Sequence, residues 1–420
     1  MNITLWFWQR ILSLNAHIYL TRTRPIIIGI GGSVGKTTTK DTIYAALAKA
    51  LPTKRVRRAY GNLNTSVGLP LAILGFDIFI SESKIIEVLP QLIWRALTYP
   101  KADILILEYA IDKPGDMEYL VKRFPPTVAV MTPISEEHTE NLIDLDGVYG
   151  EELKLINKLP PNGTAIIPAG DSYIKQVFIA RKISYGTTRD ADVCLTNWET
   201  KLTGTKLDVV VERKKIIINS PLLGMDQNYA VLAALAVGAV LNAPLNSCAD
   251  GIASYTPIPG RLRPIKGKRS VTIIDDSYNA SPASMEAALK VLKEVAEKSR
   301  RVAILGEMKE LGNLSLVAHQ NLAKIVPKYA DAAIFVGLYS DEMKRWSIKA
   351  GLKEADIYTF KSTSDAIKPI LKIVQKGDVV LIKASQNEMR FERITYALMA
   401  HPENARKLLV RSSKLTVKKL

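Results

Sequence analysis

The stretch Gly29-Ile30-Gly31-Gly32-Ser33-Val34-Gly35-Lys36-Thr37-Thr38 restricts what this chain can fold into more than any other. A β-branched run, Ile26-Ile27-Ile28, leads into it, and a helical pattern from Lys40 to Leu47 follows. Strand, glycine turn and helix is the layout of a phosphate-binding loop. Glycines let the backbone curl so that successive N–H groups face an anion, and the helix N-terminus adds partial positive charge. An ordinary β–α turn can also carry Gly-Lys-Thr, but the flanking strand and helix favour nucleotide. Gly32, Ser33, Gly35, Lys36, Thr37 and Thr38 are then the nucleotide contacts, with Lys36 reaching the outer phosphates and the Thr37 hydroxyl available to Mg²⁺. The common spacing asks for glycine five residues before Gly35. Ile30 stands there, and Gly29 and Gly32 are the turn glycines on offer instead.

A chain of 420 residues is long enough for two or three domains, each with its own core. Its two cysteines, Cys194 and Cys248, have no metal-like spacing, so neither a disulfide framework nor a structural zinc site is expected. The cytoplasm is the default compartment. A net charge of +16 admits nucleic acid, an anionic membrane or a phosphorylated acidic substrate. The basic residues are spread out, with local excess at Lys54-Arg55-Val56-Arg57-Arg58 and from Arg406 to Lys419. Few aromatics interleave with them and no nucleic-acid motif is present, so no nucleic-acid partner is expected. A solvated basic surface is the plain alternative.

Four segments follow from the patterning. Residues 1–24 are apolar, but Gln9, Arg10, Asn15 and His17 interrupt them, which disfavours a full membrane span. No small-residue cleavage site follows, so a signal peptide is not expected. Tryptophans beside Arg10, with Arg22 and Arg24 beyond, suit a helix at a membrane surface, giving a membrane-peripheral protein. A helix packed on the next domain or on a partner chain fits equally well. Residues 25–256 alternate buried β runs, such as Ile104-Leu105-Ile106-Leu107 and Thr127 to Met131, with helical patterns. That predicts an α/β domain with a parallel sheet and ligands at the carboxyl ends of its strands. Pro257-Ile258-Pro259-Gly260 reads as a linker. Residues 257–402 alternate again, as a second, Rossmann-like domain. The tail, 403–420, is polar, basic and expected to fray.

Three elements could complete a metal–phosphate site. Glu108 follows a buried strand run and is placed to hold Mg²⁺, although a strand-end Glu is more often a cap or a surface residue. His138, one of four histidines, lies in a loop, where histidines are usually only solvated. Glu151-Glu152-Leu153-Lys154 reads equally as the charged face of a helix.

Taken together, these residues resemble the Mur ligases, and most the members that add D-alanyl-D-alanine. Residues 32–40, Gly61 to Leu71, Leu107-Glu108-Tyr109-Ala110 with Pro114-Gly115-Asp116, and His138-Thr139-Glu140 are similar to family motifs. So are Gly260-Arg261-Leu262, Ile274 to Pro282, Leu305 to Gly312 and Lys383-Ala384-Ser385-Gln386. The resemblance spans residues 25–400 and implies an α/β fold, a central P-loop ATPase domain with a parallel sheet followed by a Rossmann-like domain. It implies an ADP-forming ligase of peptidoglycan synthesis, using ATP and Mg²⁺. The carboxylate of a muropeptide-type substrate is phosphorylated to an acyl phosphate, which the amine of D-alanyl-D-alanine attacks. Lys36, Glu108, His138 and Glu152 would be catalytic, with Thr37, Glu108 and His138 holding metal. Gln227, Arg261, Asp276 and Asn279 would touch ATP, the last three closing on it from the later domain. Asn64, Thr65, Lys383 and Ser385 would touch substrate.

Three departures accompany the resemblance. Many relatives carry a carbamylated lysine where Glu152 aligns, and glutamate offers a similar headgroup on a shorter stem. The family's Gly-x-His-Asn reads Gly224-Met225-Asp226-Gln227. Relatives begin with a uridine-nucleotide-gripping domain, for which 24 residues are too few. Two alternatives therefore stand beside the leading expectation: a ligase of polyglutamate type, and a non-catalytic nucleotide-binding subunit.

Overall fold

The computed structural model describes residues 3–61, 63–78, 80, 84–134, 145–175, 181–309, 311–386 and 389–411. The chain divides into two units. The first comprises residues 1–198, 206–220 and 227–255, and the second residues 199–205, 221–226 and 256–420.

The first unit is organised by a nine-stranded sheet. Its strands are β1 (Ile26–Gly31), β2 (Val56–Arg58), β3 (Ile104–Glu108), β4 (Val128–Met131), β5 (Thr164–Pro168), β6 (Lys182–Gly186), β7 (Val193–Lys201), β8 (Gly204–Val211) and β9 (Lys214–Ser220). They lie in the order β2-β3-β1-β4-β5-β6-β7-β8-β9, and the pairs from β2 through β7 are parallel. Every residue of β3 and β4 is buried, which is why these strands read as unbroken apolar runs rather than as alternation. The last three strands are joined by two-residue turns. In the second turn Glu212 and Arg213 both have positive φ, 49° and 66°, the backbone that matches a twisted hairpin. β1 lies between β3 and β4 although β2 and β3 come between it and β4 in the chain. The carboxyl end of β1 is therefore a topological switch point, where ligands of such sheets bind.

The N-terminal segment is a helix, Ile3–Thr23, whose Leu12, Ala16 and Tyr19 are buried. It packs on the helices Gly68–Ile73 and Ile85–Thr98. The Tyr19 hydroxyl fixes it, donating to the Pro100 carbonyl at 3.1 Å and accepting from the Ala102 N–H at 3.1 Å.

The second unit holds a six-stranded sheet: β10 (Arg263–Lys266), β11 (Thr272–Asp276), β12 (Arg301–Leu305), β13 (Ala332–Val336), β14 (Ile357–Phe360) and β15 (Val379–Lys383). The order is β10-β11-β15-β12-β13-β14, all parallel except the edge strand β10. Apolar side chains fill both faces of this sheet. The expectation of a frayed tail fails for its first part. The turn at Pro402–Asn404 leads into a short helix, Ala405–Leu408, and Ala405 and Leu409 are buried. Arg411 donates to Glu392 Oε2 at 2.9 Å and to the Ser277 carbonyl at 3.3 Å. Two apolar anchors and one buried ion-pair partner hold a segment whose composition alone reads as solvated.

Candidate active site

In the first unit, Ile30 of β1 pairs with Glu108 of β3, so the glycine loop and the acid leave the sheet side by side. The helix Lys36–Ala50 starts at Gly35, which has φ 84°. Gly32 has φ 106°, and a Cβ there would lie 2.4 Å from the Thr132 carbonyl oxygen, so glycine is required. Ile30 is a strand residue and needs no such freedom. Gly29, expected in the turn, is also inside β1. Its constraint is packing, since a Cβ would meet the Tyr109 ring at 2.9 Å.

Glu108 is buried and surrounded by donors. The Thr37 hydroxyl donates to its Oε2 at 3.1 Å and Asn64 Nδ2 to its Oε1 at 3.0 Å. Lys40 Nζ lies 3.4 Å from Oε2 and donates to the Gly61 carbonyl at 3.0 Å. Burial pushes the Glu108 carboxyl up. The charges of Lys40 and Lys36, with the Asn64 and Thr37 hydrogen bonds, outweigh it and hold the group below the usual carboxylate range. At neutral pH the pair Thr37–Glu108 therefore presents a hydroxyl and an ionised carboxylate, a donor set suited to a hard cation. Among the described residues no group of three or more His, Cys, Asp or Glu could hold a metal. A single carboxylate whose remaining partners are phosphate oxygens and water is the usual Mg²⁺ arrangement.

Lys36 Nζ donates back to the Gly32 and Ser33 carbonyls, so the ammonium lies over the loop. The Gly32 N–H donates to Glu152 Oε2 at 2.8 Å, and the Ser33 and Val34 N–H groups donate to the Pro133 carbonyl at 3.2 and 3.0 Å. At the helix start, the first N–H groups after Gly35 have no acceptor within the helix and face out of its N-terminal end. The helix N-terminus and the Lys36 and Lys40 ammonium groups put positive charge beside the Glu108 carboxylate, an arrangement suited to phosphate together with a cation.

In the second unit, Asp276 ends β11 and pairs in register with Lys383, which ends β15. Lys383 Nζ lies 2.6 Å from Asp276 Oδ2 and donates to the Asn279 carbonyl at 2.9 Å. The Leu262 N–H donates to Asp276 Oδ1 at 3.2 Å. Ser385 donates to the Ala280 carbonyl at 3.3 Å and accepts from the Lys309 N–H at 2.8 Å. The Arg261 guanidinium lies 4.3 Å from the Tyr278 ring centre. Asp275 points into the interior, where the Thr395 hydroxyl donates to it at 2.9 Å. Burial, with the charges of Asp276 and Glu392, pushes its carboxyl up to about 6.

Residues 30–238 match the Mur ligase middle domain, and residues 260–386 match the Mur ligase glutamate ligase domain. The chain belongs to the Mur ligase family. The UDP-N-acetylmuramoyl-tripeptide–D-alanyl-D-alanine ligase of Bacillus subtilis is 28% identical over 388 residues, 92% of this chain and 79% of the relative. The MurF ligase of Thermotoga maritima, solved in complex with ADP, has a TM-score of 0.76 at 25% identity, covering 95% of this chain and 84% of its own. A MurF structure from Acinetobacter baumannii gives 0.77 at 21%, covering 91% and 79%. The α/β expectation, with a P-loop domain and a second parallel-sheet domain, agrees with this fold.

Within this Mur ligase the expected residues fall into separate groups. Lys36, Thr37, Glu108 and Asn64 meet at one point, and Glu152 sits on the loop beside them. Thr65 serves the local backbone, its hydroxyl accepting the Gly68 N–H at 3.2 Å at the start of a helix. Thr38 is buried in the loop helix, and Gln227 lies in the helix Gly224–Val240. Asp276, Asn279, Lys383 and Ser385 form the second unit's cluster. His138 lies outside the described residues. Lys40 was not foreseen. Its signal was the spacing, four residues after Lys36 on one helix, which places both ammonium groups towards the same strand end.

Proposed function

We propose that this Mur ligase joins D-alanyl-D-alanine to the peptide carboxylate of a muropeptide precursor, using ATP and releasing ADP and phosphate. The placement of Lys36 and Thr37 beside an ionised Glu108 carries this proposal, because it supplies what phosphoryl transfer needs. A carboxylate is a poor electrophile, and taking the γ-phosphoryl of ATP gives it a leaving group. The amine then attacks the acyl carbon, a peptide bond forms, and phosphate leaves. Phosphoryl transfer asks the protein mainly for position and charge neutralisation. Lys36 and the N-terminus of the loop helix bind the phosphates, Lys40 holds Glu108 in place, and Thr37 with Glu108 would hold Mg²⁺, which when bound neutralises phosphate charge. In this proposal Arg261, Asp276 and Asn279 are the second unit's share of the nucleotide contacts. Lys383 acts there through Asp276.

Glu152 stands in for a carbamylated lysine. The support is that it is a buried two-oxygen carboxyl on the phosphate loop, accepting the Gly32 N–H. Full activity in Glu152→Ala, without dependence on carbon dioxide, would remove that role. The reaction takes place in the cytoplasm, and residues 3–23 are the chain's point of contact with a membrane surface or a partner chain.

ADP formation with a UDP-muramoyl tripeptide and D-alanyl-D-alanine, compared with glutamate as the amine, tests the proposal. Turnover only with glutamate would move the enzyme to the polyglutamate type. Nucleotide binding without turnover on either amine would make it a non-catalytic subunit.

A further inference from the structure

The helices Ile3–Thr23 and Ile85–Thr98 pack against each other, yet each turns apolar side chains away from the protein. On the first, Phe7 is 52% exposed and Leu14 61%, with Ile18 also exposed. Positions 7, 14 and 18 share one side of a helix. On the second, Ile93, Trp94 and Leu97 form a stripe at helical spacing, with Trp94 60% and Leu97 57% exposed. Large apolar side chains gathered on packed helices at such exposure mark a binding surface.

Charge decides which partner fits. The first 40 residues contain five cationic side chains and no Asp or Glu, Asp41 being the first acid. Arg10, His17, Arg22 and Arg24 are exposed on or just after the first helix, and Arg10 stacks 4.2 Å over the Trp6 ring. The second helix carries one exposed acid, Glu87, but on the first helix apolar and tryptophan side chains bordered by arginine, with no carboxylate, suit the interface of an anionic lipid bilayer. The helix cannot instead be a span. No helix among the described residues is long and apolar enough to cross a membrane. This one is also half committed to the protein core through Leu12, Ala16 and Tyr19.

We propose that these two helices dock this chain on an anionic membrane surface, lying in the plane of the interface with the apolar stripes inserted and the arginines on lipid headgroup phosphates. The docking goes beyond the ligase proposal and does not rest on it. Vesicle flotation tests it, using the purified full chain with vesicles of phosphatidylcholine alone and of phosphatidylcholine with about one-third phosphatidylglycerol. Flotation is expected only with the anionic vesicles, and it should weaken as salt rises. The variants Leu14→Gln and Trp94→Gln alter exposed positions outside both clusters. Each should lower the lipid-bound fraction roughly tenfold while leaving ADP formation in lipid-free buffer unchanged. Absence of flotation with anionic vesicles would overturn the proposal. Flotation that ignores both variants would also do so, by placing lipid binding elsewhere, such as the basic tail. Sedimentation showing a dimer that these variants dissociate would assign the surface to a second copy instead and equally overturn it.

Discussion

Lys40 and Glu108 meet at the end of β3, and Lys383 and Asp276 meet at the ends of β15 and β11. Both are buried lysine–carboxylate pairs at carboxyl ends of parallel strands. They differ in tightness and in charge balance. The first pair is 3.4 Å apart, its carboxylate shared with a hydroxyl and an amide, and Lys36 adds a second positive charge. The second is 2.6 Å apart, and the pair also bonds backbone, at the Asn279 carbonyl and the Leu262 N–H. Glu108 is shared between two cations, and the Glu152 carboxyl lies on the same loop. A one-to-one pair anchored on backbone holds the turn 276–280. Position at a strand end is common to both pairs, and what separates them is how many cations share the carboxylate.

The largest effect should come from the brace. Lys383→Met leaves the Asp276 carboxylate buried without its cation and should destabilise the second unit by roughly 3–5 kcal/mol, read as a lower denaturant midpoint. Adding Asp276→Leu should recover much of the loss. If Lys383→Met keeps the wild-type midpoint but loses turnover, Lys383 is a substrate contact and the contrast between the pairs fails. Lys36→Ala should do the reverse, lowering ADP formation by roughly 10²–10³-fold, about 3–4 kcal/mol, with little change in melting. Lys36→Ala turning over like wild type would remove the phosphate site altogether.

The two pairs also differ in how legible they are. The glycine loop and Glu108 can be read from the sequence because their signals are contiguous: a strand run, a turn and a helix, or a strand run and its terminal acid. Asn64 was expected on substrate, and it donates to Glu108, a bond spanning 44 residues that no local pattern encodes. Lys383 and Asp276 are 107 residues apart. Only the strand order, with β15 inserted between β11 and β12, brings them together. The N-terminal helix shows the same limit. Its apolar content predicts burial or a membrane, and the structure divides it, Leu12, Ala16 and Tyr19 inward, Phe7, Leu14 and Ile18 outward. The tail misleads for the opposite reason, since few of its residues are apolar but Ala405 and Leu409 are buried.

Acid titration should separate the two regions by sign. Asp275 has its folded pKa raised from 3.8 to about 6, so the folded state binds more protons than the unfolded state between those values. Its ionisation costs stability as pH rises through that window, and the cost is absent below about pH 4. Asp275→Asn should therefore gain on wild type by about 2–3 kcal/mol between pH 4 and pH 7, measured as the difference in unfolding free energy. Glu108 runs the other way. Its folded pKa is lowered, so its contribution is present above the unfolded value of 4.5 and is lost as pH falls. A Glu108→Gln variant that gained stability with rising pH, as Asp275→Asn does, would show that the site carboxylate is a buried liability like its counterpart.

The smallest expected effect isolates one hydrogen bond at that site. Asn64 Nδ2 donates to Glu108 Oε1 at 3.0 Å and favours the charged form. Asn64→Leu removes the donor and leaves Lys40, Lys36 and Thr37 in place, so the Glu108 pKa should rise. The acid limb of the ADP-formation profile should move to higher pH with it, with the rate near neutral pH reduced only about a few-fold. If Asn64 contacts substrate instead, the same variant raises KM and leaves the limb unmoved. The position of the limb therefore decides whether the ionisation of Glu108 is tuned by Asn64 or set by the lysines alone.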